Sequence, residues 1–167
     1  MKILGIDPGT IITGYGLIEV RDGQQELVLY GALKPPADLP ITDRLKMLHS
    51  GITDIILRHM PAAVAVEQPF VARNVRSALA IGRAQAVALL AAAQNDVPAF
   101  EYAPAQIKQT VASYGASSKQ QVQEMVRLQL RMDKAPQPAD AADALAVAIC
   151  HACQSHLGNL VAEQEGK

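Results

Sequence analysis

The chain has 167 residues, of which 50% are apolar and 19% are charged, and its formal net charge is −1. This length suffices for one globular domain with a hydrophobic core, and the composition excludes disordered and fibrous proteins. A net charge near zero gives no general attraction for nucleic acid, so DNA binding would require a local basic surface.

The first third of the chain has the apolar runs and turn residues of β-strands. Residues 2–7 form one apolar run, and residues 14–20 predict a second strand. A third strand is predicted over 27–33, after the turn-forming residues Arg21-Asp22-Gly23. Three strands in close succession predict an antiparallel meander.

From residue 41 onward, helical patterns alternate with short apolar strands. Apolar spacing predicts five helices: 41–59, 74–94, 104–113, 119–131 and 138–156. Short apolar runs predict strands over 62–67 and 97–102. The order predicts an α/β fold, in which a five-stranded mixed sheet (three antiparallel strands, then two parallel) is flanked by helices. We expect one domain over 1–157 and a disordered polar tail over 158–167.

The compartment is predicted from what the sequence does not contain. No run of about 20 consecutive apolar residues predicts a membrane span, and residues 2–7 lack the pattern of a secretory signal. Two cysteines, Cys150 and Cys153, fit a reducing compartment. We therefore expect a cytoplasmic protein that does not bind membranes.

Four carboxylates occupy positions that are unusual for surface acids. Asp7 ends the first predicted strand, and Glu67 ends the fourth. Asp140 and Asp143 lie three residues apart on the last predicted helix, among alanines, and this spacing places them on one helix face. Acids at the carboxyl ends of strands meet at one sheet edge, where ligand sites usually form. We therefore expect the four acids to converge.

Converging carboxylates in an apolar setting repel one another and lose solvation, so a hard divalent cation is the simplest way to keep them ionised. Two such ions can activate water and stabilise the leaving oxygen in phosphodiester hydrolysis. Taken singly, each acid has an ordinary alternative. Asp7 would form a turn, Glu67 would pair with an arginine, and Asp140 and Asp143 would cap a helix. The set of four favours a metal site.

Four motifs carry these acids in chain order. They are Ile6-Asp7-Pro8-Gly9-Thr10 with Gly14-Tyr15-Gly16, Val66-Glu67-Gln68 followed by Phe70, Gln106-Ile107-Lys108-Gln109, and Asp140-Ala141-Ala142-Asp143-Ala144-Leu145-Ala146. Together they resemble the motifs of the RuvC-type Holliday-junction resolvases, in the same order, over about residues 2–156.

This resemblance implies an RNase H-like fold and a crossover junction endodeoxyribonuclease. Such an enzyme resolves four-way (Holliday) DNA junctions by paired symmetric nicks, in homologous recombination and DNA repair. The resemblance implies two Mg²⁺ ions per active site, for which Mn²⁺ can substitute. It implies three partners: the four-way DNA junction, a second copy of the chain, and the RuvA–RuvB branch-migration complex. It also implies the catalytic residues Asp7, Glu67, Asp140 and Asp143 as metal ligands, with Lys119 beside them.

The resemblance and the local charge together predict the DNA contacts. Lys108 and Lys119 match positions that bind DNA or stabilise transition-state charge in the family. Phe70 matches an aromatic residue that probes junction bases, although a buried loop anchor is the alternative. Residues 71–86 contain three arginines and no acid, which suits phosphate contacts as well as an ordinary solvated helix face. The predicted contacts in this region are Phe70, Arg73, Asn74 and Arg76.

Several interpretations stay open on the sequence alone. The long helix over 74–94 has small and apolar residues on more than one face, which suits either a two-fold contact between two copies or a central core helix. Asp7-x-Gly9 with Gly14-x-Gly16 also resembles the phosphate loop of the sugar kinase, actin and heat-shock ATPase group. Those proteins need two such domains. An RNase H-like nuclease that acts on RNA or on a different branched DNA, and a non-catalytic junction-binding module, are the two remaining possibilities.

Overall fold

The structure, a computed structural model, describes residues 1–69, 75–113, 115 and 117–165. Its strands are β1 (Lys2–Asp7), β2 (Thr13–Arg21), β3 (Gln24–Leu33), β4 (Ala63–Glu67) and β5 (Ala99–Tyr102). Its helices are α1 (Ile41–His59), α2 (Val75–Gln94), α3 (Pro104–Ala112), α4 (Lys119–Gln129) and α5 (Ala139–Glu165).

The five strands form one mixed sheet in the order β3-β2-β1-β4-β5. β1 pairs antiparallel with β2, which pairs antiparallel with β3, whereas β4 runs parallel to both β1 and β5. The register pairs Asp7 with Gly14 on one side of β1 and Ile6 with Val66 on the other. The predicted α/β class, with three antiparallel strands followed by two parallel ones, is confirmed.

Alternation along the central strands divides the core between the two faces of the sheet. Leu4 and Ile6 of β1 belong to a cluster with residues of α1 and α2, whereas Ile3 belongs to a cluster with α3, α4 and α5. The same parity holds in β4, where Val64 faces α1 and α2 while Ala65 faces α5. Since side chains alternate with a period of two, the acids that end β1 and β4 point to the α5 side.

Helix α5 lies unusually close to the sheet because the strands beneath it carry glycines. A Cβ atom added at Gly5 would lie 2.0 Å from the carbonyl oxygen of Ala144, and one at Gly14 would lie 2.0 Å from the carbonyl oxygen of Asp140. One at Gly16 would lie 2.6 Å from the Leu145 side chain. These three glycines, which we call the glycine seat, allow the backbone of α5 to approach β1 and β2 where any side chain would block it.

Several element boundaries differ from the prediction. β3 begins at Gln24 rather than at residue 27, because pairing with β2 continues to the turn, where Asp22 and Gly23 adopt positive φ. α5 continues to Glu165, past the predicted end at residue 156 and through most of the segment predicted as a tail. No proline interrupts that segment, and Gly158 alone does not end a helix. The domain boundary at residue 157 stays a prediction.

α2 is the one helix in the described part of the chain that is long and apolar enough to cross a membrane, by length and composition only. It packs on the sheet and on α1 through small residues, of which Ala84, Ala88 and Ala91 are buried. A helix of a soluble core passes the same test of length and hydropathy, so this feature does not indicate a membrane protein.

Candidate active site

The carboxylates predicted to converge are brought together at the carboxyl edge of the sheet. Asp7 is the last residue of β1 and Glu67 is the last residue of β4, and these strands are parallel neighbours. Asp143 lies on α5, one turn into the helix. All three line one cavity of about 400 Å³. These three acids converge because Asp7 and Glu67 both point to the α5 side of the sheet, and because the glycine seat lets α5 lie close to that side.

Two lysines and several apolar side chains complete this cavity, which we call the carboxylate cavity. Lys108 comes from α3, and Lys119 is the first residue of α4. The apolar part of its wall is formed by Pro104, Ile107, Val122 and Ala146. Acids and lysines thus share a partly apolar pocket, where charges act on one another more strongly than in open solvent.

Burial is the largest reason why the pKa of the Asp7 carboxyl is raised to about 8 from its ordinary value of 3.8. Three other carboxylates add to this effect, in decreasing order: Glu67, Asp143 and Asp140. The positive charge of Lys119 opposes it. The pKa of Asp7 is therefore raised by the charges of all three of the other predicted ligands.

Glu67 is affected in the same way. Burial, and then the charge of Asp143, raise its pKa to about 7, against a side-chain hydrogen bond with Asp7 and the charges of the two lysines. Two neighbouring acids whose pKa values lie far above their ordinary range are typical of functional sites, because a fold does not otherwise tolerate such repulsion.

Lys119 is the counter-charge closest to the acids. Its Nζ lies 2.5 Å from Oδ2 of Asp143, and its side chain is 55% exposed. Burial lowers the pKa of Lys119, but the hydrogen bond and charge of Asp143 and the charges of Asp7 and Asp140 outweigh this, so the pKa is raised. Lys119 therefore keeps its positive charge beside the acids of the carboxylate cavity.

Asp140 lies beside this cavity and not in its wall. It lines an adjacent groove with the β1–β2 turn and part of α2, and its charge acts on Asp7. Of the four predicted ligands, the structure thus places three around one cavity and the fourth next to it.

The turn from Pro8 to Ile12 is closed by its own hydrogen bonds. The Gly9 amide donates to Thr13 Oγ1 (3.2 Å), and the same hydroxyl donates to the Gly9 carbonyl (2.7 Å). Arg44 of α1 donates twice to the Thr10 carbonyl, from Nε (2.9 Å) and Nη2 (2.6 Å). The Gly9 amide is thus engaged within the turn, and Gly14 lies under α5. Neither glycine is arranged to cradle a phosphate, which argues against the nucleotide-binding alternative.

The donor set suits a hard divalent cation in its chemistry. Carboxylate oxygens are the ligands that Mg²⁺ and Mn²⁺ prefer, and a cation would offset the burial and the repulsion that raise the pKa values of Asp7 and Glu67. As placed here, no three carboxylate, imidazole or thiol groups of the described residues form a group that could hold one ion. The ammonium group of Lys119 lies against Asp143 instead.

Comparisons with known proteins identify the family of this chain. The family model of the crossover junction endodeoxyribonuclease RuvC matches residues 3–151. A crossover junction endodeoxyribonuclease RuvC of Dehalococcoides mccartyi is 53% identical over 163 residues, which are 98% of each chain. The chain belongs to the RuvC family of crossover junction endodeoxyribonucleases. The family and the enzyme class expected from the motifs are therefore confirmed.

Solved structures show the same fold. Thermus thermophilus RuvC in complex with a Holliday junction substrate is 35% identical and superposes with a TM-score of 0.89, over 95% of this chain and 96% of that one. The yeast mitochondrial Holliday junction resolvase Ydc2 is 13% identical, with a TM-score of 0.63 over 90% of this chain and 78% of that one, and it shows the fold alone. The expected RNase H-like fold of the RuvC family is confirmed.

The other residues predicted to contact DNA are placed less fully. Phe70, Arg73 and Asn74 lie outside the described residues, so their roles in this RuvC-family chain stay predictions. Arg76 is exposed in the first turn of α2, away from the walls of the carboxylate cavity. Lys108 and Lys119, by contrast, both line that cavity.

Sequence reasoning missed the residues that hold this site in place. The motifs include Gly14 and Gly16 but not Gly5, and they do not explain any of the three, although glycines at alternate positions of neighbouring strands signal a close approach of another backbone. The hydrogen bonds from Arg44 to Thr10 join elements far apart in sequence, so no local signal predicted them. A hydrogen-bonded helix cap before Lys119 was also missed, although its pattern of Ser118 followed by Gln121 was readable.

Proposed function

We propose that this protein resolves four-way DNA junctions by paired symmetric nicks, using divalent cations held by Asp7, Glu67, Asp140 and Asp143. The observation that carries the proposal is that three of these acids line one cavity with two lysines, while the fourth lies beside it. Two Mg²⁺ ions per site, with Mn²⁺ as a substitute, suit the all-oxygen donor set and the family. The expected products are a 5′-phosphate and a 3′-hydroxyl.

The residues of the cavity divide the chemistry among them. Asp7, Glu67, Asp140 and Asp143 would hold a divalent cation and be neutralised by it. When bound, such an ion would supply Lewis-acid stabilisation of the phosphate and activation of the attacking water. Lys119 and Lys108 add positive charge on the same wall, where it attracts the DNA backbone and offsets charge that develops on the phosphate. The apolar wall limits the access of other water molecules.

A homodimer would place two such cavities on the two strands to be cut. The support is a stripe of residues along one side of α2, at helical spacing, that the described residues leave at least partly exposed. Val75, Leu79 and Leu90 are more than half exposed on it, and Gly82 and Ala86 continue it. An apolar stripe of this kind on a soluble domain is expected to be buried against a partner, here through a two-fold contact.

Family membership is the support for two further parts of the proposal. The branch-migration complex RuvA–RuvB would present the junction, and the cytoplasm, where chromosomal DNA lies in bacteria, would be the compartment. We expect a tagged form of this chain to retain RuvA–RuvB when a four-way junction is present. Co-purification with RuvA alone and with RuvB alone, each without the junction, shows whether the contact is direct.

The decisive experiment is cleavage of an end-labelled mobile four-way junction with Mg²⁺ or with EDTA. Wild type is compared with Asp7→Asn and with Asp54→Asn, the same change at an exposed acid of α1. We expect paired nicks that require the metal, disappear in Asp7→Asn and persist in Asp54→Asn. A linear duplex and an RNA–DNA hybrid run alongside. Preferential cleavage of the hybrid would favour an RNase H-type activity. Binding of the four-way junction without cleavage in Mg²⁺ would favour a non-catalytic module.

A further inference from the structure

Lys119 is held at both ends. At its tip, Nζ lies 2.5 Å from Oδ2 of Asp143. At its backbone, it is the first residue of α4 and follows the helix cap Ser118. Because a lysine side chain has four rotatable carbons, the position of its charge depends on how firmly the backbone beneath it is fixed.

The backbone of this first turn is fixed by a reciprocal pair of hydrogen bonds. The Gln121 amide donates to Ser118 Oγ (3.2 Å), and the Ser118 amide donates to Gln121 Oε1 (2.7 Å). Ser118 has the extended conformation of an N-cap residue, with φ −67° and ψ 160°. This capping box satisfies two amides of the first turn that would otherwise lack partners.

The charge pattern of this turn is unusual for a helix start. It carries a lysine and no acid, although a cation is disfavoured at the N-terminus by the helix dipole. Glutamate is the common alternative to glutamine at the third position of a capping box and would close it equally well. It would also set a second negative charge beside Lys119, in competition with Asp143. Gln121 closes the box without adding that charge.

We propose that Ser118 and Gln121 are positioning residues that act through Lys119, holding its ammonium group against the acids of the carboxylate cavity. This inference rests on the proposed nuclease function. The buried residues Val122 and Val126 anchor the body of α4 on the core, so loss of the cap loosens the first turn, to which Lys119 belongs, more than the rest of the helix. The cap thereby couples a surface hydrogen bond to the position of a catalytic charge.

The test is single-turnover cleavage of the four-way junction with enzyme in excess, which separates the maximal rate from the half-saturating enzyme concentration. Ser118→Ala removes the cap and Ser118→Thr keeps it. Glu124→Gln is the matched control, because it breaks an exposed ion pair with Arg127 in the same helix, away from the cavity. A cap typically shifts the equilibrium of a helix end about five-fold. We expect Ser118→Ala to lower the maximal rate by up to about five-fold with a smaller change in half-saturation, and the other two variants to stay within about two-fold of wild type.

A double-mutant cycle distinguishes positioning from general stability. If Ser118 acts through Lys119, Ser118→Ala has no more than about a two-fold effect in a Lys119→Ala background, because the group that it positions is gone. Equal effects in both backgrounds, or an unchanged rate in Ser118→Ala, would overturn the inference. Lys119→Ala that cuts as fast as wild type would also overturn the inference, because no charge would then need positioning, whereas wild type that does not cut the junction would refute the proposed function of the site. Thermal unfolding of each variant identifies any that is not folded.

Discussion

Replacing Gly14 by alanine tests whether the glycine seat sets the position of Asp140. The added methyl carbon would lie 2.0 Å from the Asp140 carbonyl oxygen, whereas ordinary contacts begin at about 3.4 Å. The carbonyl oxygen is part of the backbone and the methyl carbon is bonded directly to it, so neither can turn aside. The first turn of α5 and β2 must therefore separate by about 1.4 Å to reach an ordinary contact. Overpacking of this kind costs about 1–3 kcal/mol of unfolding free energy, and a displacement of about 1 Å at a reacting group lowers rates about 100-fold.

The assay combines thermal unfolding with junction cleavage. For a chain of this length, 1 kcal/mol corresponds to about 2–4 °C in Tm, so Gly14→Ala should lower Tm by several degrees and cleavage by about 100-fold. Gly31→Ala is the matched control, because the atoms nearest to its methyl group belong to the end of the Tyr15 side chain, on the face of the sheet away from α5. Wild-type cleavage by a folded Gly14→Ala protein would refute the role of the glycine seat.

Three further predictions concern charge and assembly. In EDTA at pH 8, Asp7→Asn should be more stable than wild type. The raised pKa of Asp7 means that the stability of wild type falls as pH rises from about 4 towards 8. Added Mg²⁺ should narrow the difference in stability between the two proteins, and urea unfolding in EDTA and in Mg²⁺ measures that difference. Burial lowers the pKa of His151, whose Nδ1 lies 2.7 Å from Tyr102 Oη. Because His151 then binds a proton at higher pH in the unfolded chain than in the folded one, stability should fall as pH drops below 6.5. A His151→Phe protein should lack this part of the dependence of unfolding free energy on pH. Leu79→Asp should convert a dimer to a monomer in light scattering and uncouple the paired nicks, and an unchanged mass would contradict the α2 contact.

The parts of the fold that depend on local pattern were predictable from the sequence. Apolar periodicity located every strand and helix, and the order of the elements indicated the mixed sheet. The acids could be assigned to one edge because Asp7 and Glu67 each end an apolar run. The boundaries of β3 and α5 were wrong because pairing with β2 and the continuation of a helix depend on neighbours that periodicity does not describe.

The contacts that set distances within the site were not predictable in the same way. Whether Asp140 approaches Asp7 depends on how closely α5 lies on β1 and β2, and this depends on which of two sheet faces the glycines occupy. That face is known only once the strand register is fixed. The Arg44–Thr10 hydrogen bonds likewise require α1 to have docked beside the turn. A motif can therefore name the residues of a site before anything in the sequence gives its geometry.

Contacts from several elements hold the acids of this site together against their mutual repulsion. Carboxylates repel one another, and this repulsion adds to burial in raising the pKa values of Asp7 and Glu67, while the charge of Lys119 opposes both effects. Helix α5 is held by direct contact with strand backbone, the Asp7 turn by hydrogen bonds to its carbonyls, and Lys119 by a capped first turn. None of these supports adds a negative charge to the group of acids. The acids thus stay together at one edge of the sheet, at a cost in stability that the binding of a divalent cation would recover.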